Sequence, residues 1–202
     1  MSDPYAPQGR QASDMWQTGW ESGVDLREAL LSGMELPELP FVPVRLEPGE
    51  VPHAEVVADY SRFYAMDVAY QQSNGLYFGS PLFVAAGLTA QAIGNASARS
   101  RAQAMAAPQW REFQRVTVYV TSRRLLALID GTRWLSWWHA GNMQVNPVLD
   151  QWALVQLFND TEPLRWQGPA VPWLSVAVSY LAHGPGHLLH HPELARLAMI
   201  EG

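Results

Sequence analysis

The sequence has no cysteine, which excludes a disulfide framework and a thiolate zinc site. It has no lysine either, so all 13 of its basic residues are arginines. We attribute this bias to the codon usage of a GC-rich genome and not to a need for the arginine fork. The N-terminal segment lacks a basic stretch followed by an apolar run, so we expect no signal peptide. The expected location is the cytoplasm, with peripheral attachment to the inner face of the membrane as the alternative.

The motifs of familiar catalytic sites are also missing. We find no His-Glu-x-x-His, no Gly-x-Ser-x-Gly, no phosphate-binding loop and no dinucleotide fingerprint. Asp130 and Asp160 stand in predicted turns, where a short carboxylate hydrogen-bonds the backbone. We therefore expect no catalytic residues, no cofactor and no enzymatic activity. An enzyme whose site only its geometry would reveal is a further alternative.

Charge is unevenly distributed along the chain, whose formal net charge is −6. Residues 1–67 contain twelve acids and four arginines, whereas residues 99–133 contain seven arginines and two acids. A nucleic-acid binder needs a basic face to neutralise phosphates, so the acidic total argues against nucleic acid as a partner. The basic region leaves an anionic membrane surface as a candidate partner.

Between these two regions, residues 68–98 have no charged side chain. Their densest apolar run, residues 82–93, is shorter than the roughly 20 residues of a membrane span. We interpret it as a buried helix that forms a helical hairpin with the alanine-rich residues after it, inserted at about 79–107. In the alternative interpretation the helix faces a membrane, and Arg99 and Arg101 bind anionic lipid.

A series of short strands follows this stretch. Residues 116–121 alternate β-branched and polar side chains with the period of two that is typical of a strand with one buried face. Residues 125–129 and 134–138 flank Asp130-Gly131, and because glycine adopts positive φ readily, this dipeptide predicts a two-residue hairpin turn. Residues 55–66 begin with the alternation of a strand.

The remaining elements are two strands and two helices. Residues 152–158 and 163–167 are predicted strands joined by a turn. Residues 173–182 are mostly apolar, with a proline before them and a glycine after them, which predicts a helix. A short helix is predicted at 192–200.

Two short motifs suggest a family. The first is Leu46-x-Pro48-Gly49-Glu50, and the second is Val118-Tyr119-Val120-Thr121-x-x-Arg124-Leu125-Leu126. With the strand meander and the closing helix, they make the chain resemble the bacterial pleckstrin-homology-like (PH-like, GRAM-related) domains, although a long insertion separates the motifs here. The resemblance implies an α+β fold, namely an open antiparallel β-barrel capped by a C-terminal helix, with the helical hairpin inserted. It also implies a scaffold that docks proteins or lipids.

The domain organisation follows from these elements. Residues 1–43 are interpreted as a flexible tail and a proline-rich connector, with a mobile segment at 1–20 and a short helix at 25–31. The PH-like domain is assigned to residues 44–182. Residues 183–202 are assigned to a His-rich loop and the last short helix.

Arginine and tryptophan are enriched at binding hot spots, and arginine also stacks on indole rings. We therefore expect a protein partner, or a second copy of the chain, to bind where these residue types cluster beside the hairpin and in the tail. In the alternative, the tryptophans fill the barrel and Arg124 forms its contacts within its own sheet. The predicted partner-binding residues are Arg123, Arg124, Arg133, Trp134, Trp137, Trp138, Trp16 and Trp20.

Four histidines, His183, His187, His190 and His191, cluster in the C-terminal region. Neutral imidazoles bind metal ions, and His187 and His191 have the four-residue spacing of one helical turn. However, Pro192 biases the residue before it away from helical φ and ψ. We therefore expect no metal site and interpret this region as a loop that caps the last helix.

Overall fold

The computed structural model describes residues 6–65 and 107–198, with side chains from residue 13 onward. They form an α+β structure with a seven-stranded antiparallel sheet, which confirms the α+β part of the predicted fold class. The strands are β1 (Pro52–Tyr64), β2 (Gln109–Thr121), β3 (Arg124–Ile129), β4 (Arg133–Trp138), β5 (Asn142–Val148), β6 (Ala153–Phe158) and β7 (Leu164–Gln167). The described α-helices are α1 (Ala6–Leu31), α2 (Val171–His183), α3 (Pro185–His190) and α4 (Pro192–Ala195), and 3-10 turns occur at His139–Gly141, Leu149–Gln151 and Arg196–Ala198.

The sheet has the strand order β4-β3-β2-β1-β7-β6-β5 and is not closed between β4 and β5. Three aromatic side chains show how strongly it curls. The ring centroids of Trp137 on β4 and Trp166 on β7 lie 5.4 Å apart, and Tyr60 on β1 lies 5.7 and 5.6 Å from them. In a flat sheet, β4 and β7 would be about 19 Å apart, at about 4.8 Å per strand. The sheet therefore bends around this aromatic core.

The predicted β3–β4 hairpin is confirmed, but its loop is longer than predicted. Asp130 and Gly131 both have positive φ, 54° and 66°. Ile129 pairs with Arg133, so Thr132 belongs to a three-residue loop. The predicted β6–β7 hairpin is also confirmed.

Strand β5 was not predicted. It contains Pro147, and a proline within a short run argues against a central strand. Because β5 is the edge strand beside β6, its sequence can include a proline without breaking a second ladder of hydrogen bonds.

The proline-rich connector crosses the outer face of the sheet. Residues 34–51 contain no helix or strand. Val42 packs with Tyr119 of β2 and Leu126 of β3 in a small hydrophobic cluster.

Helix α2 covers the core and confirms the helix predicted at 173–182. It packs against α1, β5 and β6. Leu174, Val176 and Val178 are fully buried, and burying a side chain of this size contributes about 1.5–3 kcal/mol. The helix ends at Gly184, which has a φ of 78°.

The N-terminal segment differs from its prediction. The sequence predicts a mobile segment over residues 1–20, whereas α1 extends from Ala6 to Leu31. The prediction was wrong for residues 6–20 because tertiary packing outweighs their weak intrinsic helix propensity. Leu26 is buried in the core, and Trp20 packs against it.

Two glycines allow α1 to approach the start of α2. A Cβ at Gly19 would lie 2.8 Å from the carbonyl carbon of Pro169, and a Cβ at Gly23 would lie 2.6 Å from Cβ of Pro172. Glycine inside a helix normally costs about 1 kcal/mol relative to alanine. Here the absent side chains allow the two segments to touch, which sets the position of α1.

Helices α3 and α4 occupy the region predicted as a His-rich loop and a last helix at 192–200. Leu188, Leu194 and Leu197 are buried in the core. These leucines anchor the segment, so it folds into helical turns where the prolines and glycines predict a loop. The predicted last helix is present in part, as α4 and the 3-10 turn after it.

The chain divides into two compact units. One comprises Met1–Arg62 and Glu112–Gly202, and the other comprises Phe63–Arg111. In the second unit, Phe63 and Trp110 pack edge to face with ring centroids 5.4 Å apart. The helices predicted for the insertion, and with them Arg99 and Arg101, lie outside the described residues.

We predict that Gly19→Ala destabilises the protein by about 1–3 kcal/mol, because the new methyl group overlaps backbone atoms that cannot rotate away. Urea denaturation of both proteins measures the difference. The control is Gly186→Ala in α3, where a Cβ meets nothing within 4 Å and the effect should be near zero or slightly stabilising. Equal midpoints for Gly19→Ala and the wild type would contradict the close packing of α1.

Candidate functional site

The arginines and tryptophans predicted beside the hairpin do not form one surface. Trp137 faces the core and is 5% exposed, whereas Trp134 and Trp138 are 37% and 43% exposed. Arg123 is exposed, and Arg133 lies 3.9 Å from the Asp130 carboxylate at the turn. Only part of the predicted set is therefore accessible to a partner.

Arg124 is buried and holds a carboxylate inside the protein. Its Nε and Nη2 donate to the two oxygens of Glu50, at 2.9 and 3.0 Å. The Glu50 side chain is 0% exposed, and the guanidinium also stacks on Trp138, 4.6 Å from the ring centroid. This bidentate pair engages both charged groups inside the protein.

Thr121 and His139 extend this buried network. Thr121 Oγ1 donates to Glu50 at 2.6 Å and accepts from the Arg124 amide at 3.0 Å. Burial alone would raise the pKa of Glu50, but the hydrogen bonds from Arg124 and Thr121 outweigh burial and lower that pKa. Glu50 stays ionised and paired.

His139 is neutral in this network. Its Nε2 lies 3.0 Å from the Thr121 carbonyl oxygen, and because a carbonyl only accepts, Nε2 carries the proton. Burial lowers the pKa of His139 to about 4. Its Nδ1 is buried and has no hydrogen-bond partner among the described residues.

The two motifs that carry the resemblance meet in this network. Glu50 closes the first motif, and Thr121 and Arg124 belong to the second. Their polar groups point at one another. We conclude that Glu50, Thr121 and Arg124 connect the two motifs inside the fold.

A different surface brings Trp16 and Trp20 together with a residue that was not predicted. Both rings of α1 pack edge to face on Trp152, with centroids 4.6 and 5.9 Å away. The three half-buried indoles lie along an open groove of about 610 Å³, which we call the α1 groove. Its lining includes Trp16, Gln17, Trp20, Glu21, Asp25 and Trp152.

Trp152 stands in a backbone conformation that bulky residues avoid. Its φ and ψ are 50° and 41°, in the left-handed region, directly after the turn at Leu149–Gln151. This conformation costs a residue other than glycine roughly 1–2 kcal/mol. The sequence predicts residue 152 as the start of a strand, and nothing in the pattern signals a left-handed residue, so this third ring of the groove was missed.

The groove combines aromatic rings with carboxylates. Glu21 and Asp25 are one helical turn apart on α1 and line it beside Trp20. Glu21 accepts a hydrogen bond from Gln17 at 2.9 Å. Neither acid forms a salt bridge within the described residues. The groove offers apolar contact and negative charge, and its lining has no histidine or second carboxylate pair arranged for proton transfer.

A smaller cleft of about 160 Å³ lies beside β4, with Arg62, Trp138, Asp160 and Thr161 among its lining residues. Arg62 forms ion pairs with Glu162 and with Glu112. Since its strongest polar group is already engaged by the protein, this cleft offers little for a substrate to bind.

Three of the four clustered histidines stack against β5. The ring centroids of His183 and His187 are 4.8 Å apart, and those of His187 and His191 are 5.0 Å apart. His190 instead contacts the Gly186 carbonyl, at 2.7 Å. Burial, with the neighbouring imidazoles, lowers the pKa of His187, and burial lowers that of His191.

Two negative findings bear on the alternatives. In the described parts of the chain, no three histidine, aspartate or glutamate side chains are arranged to hold a metal ion. Over the same residues, no helix has both the length and the apolar character that a membrane crossing needs. No protein-family model matches the chain, and no curated protein matches it.

We predict an acid-sensitive stability centred on His139. The pKa of His139 is about 6.5 in the unfolded chain and about 4 in the folded protein, so the native state binds fewer protons. The contribution of His139 to the free energy of unfolding is therefore complete above pH 6.5 and is lost as the pH falls toward 4. Between pH 7 and 4.5 the wild type should lose about 2 kcal/mol more than His139→Gln, which keeps a donor for Thr121. Urea denaturation at both pH values measures this. Parallel losses in the two proteins would show that His139 is not buried as neutral imidazole.

Proposed function

We propose that the protein is a non-catalytic docking module, built on a PH-like scaffold, that binds a segment of a protein partner in the α1 groove. The proposal rests on one observation: Trp16 and Trp20 both contact Trp152, and the three rings line one open groove. Half-buried indoles are typical of binding hot spots, because they bury a large apolar area and lose little conformational entropy.

The scaffold part of the proposal rests on topology and on the motifs. Two antiparallel meanders, β1–β4 and β5–β7, join through the pairing of β1 with β7, and a C-terminal helix packs on the curled sheet. The antiparallel strands and the C-terminal helix packed on them support the resemblance. The contact between Glu50 of one motif and Arg124 of the other also supports it, since both motifs then serve one fold.

The strained backbone at Trp152 supports the choice of groove. The protein keeps an indole where glycine would cost nothing, and its ring contacts are those with Trp16 and Trp20. The contacts of the Trp152 ring with Trp16 and Trp20 offset the free-energy cost of this backbone conformation. Folding alone would not require three half-exposed tryptophans on this surface.

Two alternatives are distinguished by their own measurements. Lipid docking would rest on Arg99 and Arg101, and flotation with anionic vesicles that is lost when both are replaced would favour it. Catalysis would need a pocket with convergent polar groups. The α1 groove has apolar walls and two carboxylates on one helix face, which suits docking better than chemistry.

We predict that a photo-reactive benzoylphenylalanine in place of Gln17, which lines the groove, cross-links the partner in cells that contain the protein. The same label in place of Met143, which is 63% exposed on β5, should not give that adduct. Trp152→Gly should remove the adduct at position 17 while the protein stays folded, because glycine suits the left-handed backbone.

The adducts are identified by gel mobility and mass spectrometry. An adduct of twice the chain mass would identify the partner as a second copy. The proposal fails if both label positions give the same adducts, or if the adduct at position 17 survives Trp152→Gly.

A further inference from the structure

From residue 13 to the end of α1, the exposed charges are of one sign. From residue 13 onward, its exposed ionisable side chains are Asp14, Glu21, Asp25 and Glu28, all acidic. The one basic residue of this part, Arg27, is buried, and its Nη2 donates to the Leu188 carbonyl at 3.3 Å. Arg27 therefore points into the protein and does not neutralise the acids around the α1 groove.

The acids and the rings are placed to act on the same group. Glu21 and Asp25 line the groove together with Trp20 and Trp152. An indole face attracts a cation, and tryptophan does so better than the other aromatic side chains. The aliphatic stem of a lysine or arginine packs on apolar surface while its charged head reaches an exposed carboxylate. One basic side chain could thus meet both kinds of lining residue.

Resting on the proposed docking function, we infer that the segment bound in the α1 groove is cationic and amphipathic, with lysine or arginine side chains between apolar ones. The lining runs along α1 from Ser13 to Asp25, which is about 18 Å at 1.5 Å per residue. That length matches three turns of a helix or about five extended residues. An acidic segment or an anionic headgroup would meet repulsion from Glu21 and Asp25.

The test uses two labelled twelve-residue peptides with the same leucine pattern. All polar positions are lysine in one and glutamate in the other, and binding is followed by fluorescence anisotropy at low and at moderate salt. The lysine peptide should bind at least tenfold more tightly than the glutamate peptide, and added salt should weaken its binding several-fold.

Matched variants locate the effect. Glu21→Gln with Asp25→Asn should weaken the lysine peptide by about five- to tenfold. The control pair Glu35→Gln with Asp59→Asn removes two exposed acids that do not line the groove and should leave affinity unchanged. All four side chains are exposed, so both double variants should fold as the wild type does.

The outcomes separate this inference from the docking function. Equal binding of both peptides, or an equal effect of the two double variants, would overturn the inference that the bound segment is cationic. If Trp152→Gly still abolished binding in that case, docking in the groove would stand. If the lysine peptide failed to bind, or bound Trp152→Gly as well as the wild type, both the inference and the proposed groove would fail.

Discussion

The buried pair of Glu50 and Arg124 is the interaction on which this fold most depends. It ties the connector before β1 to the β2–β3 turn through two hydrogen bonds near 3 Å. Burying two charges is costly unless their geometry is good and their other atoms are paired. Thr121 and the Glu47 amide donate further hydrogen bonds to the Glu50 carboxylate, and Ser136 and Trp138 contact the Arg124 guanidinium. The start of β1, and with it the strand that joins both halves of the sheet, is positioned by this network.

The network also lies apart from the proposed docking surface. Glu50, Thr121 and Arg124, the motif residues that meet, point inward and hydrogen-bond with one another. The proposed docking surface is made by α1 and the turn before β6, which lie outside the two motifs. A scaffold held together this way can carry different binding surfaces, because changing α1 leaves the motif contacts untouched.

Strand periodicity and turn residues were enough to predict β3, β4, β6, β7 and α2, because each has a strong local pattern. The same reasoning predicted only the end of α1, at 25–31. It missed the earlier part, which depends on glycines that fit against Pro169 and Pro172, contacts between residues far apart in the chain. Trp16 and Trp20 were predicted as binding residues from their type and spacing, but their neighbour Trp152 is 132 positions beyond Trp20 along the chain. Arg124 was predicted for the surface beside the hairpin, and only its distance to Glu50 shows that it is engaged internally.

A double-mutant cycle on Glu50 and Arg124 tests this account most directly. Glu50→Gln, Arg124→Met and the double variant would be compared with the wild type by urea denaturation at pH 7. Each single change leaves a buried group without its partner and should cost about 3–5 kcal/mol. The double variant should cost less than the sum of the two by at least about 2 kcal/mol. Additive losses, or single variants within about 0.5 kcal/mol of the wild type, would contradict the claim that this pair organises the fold.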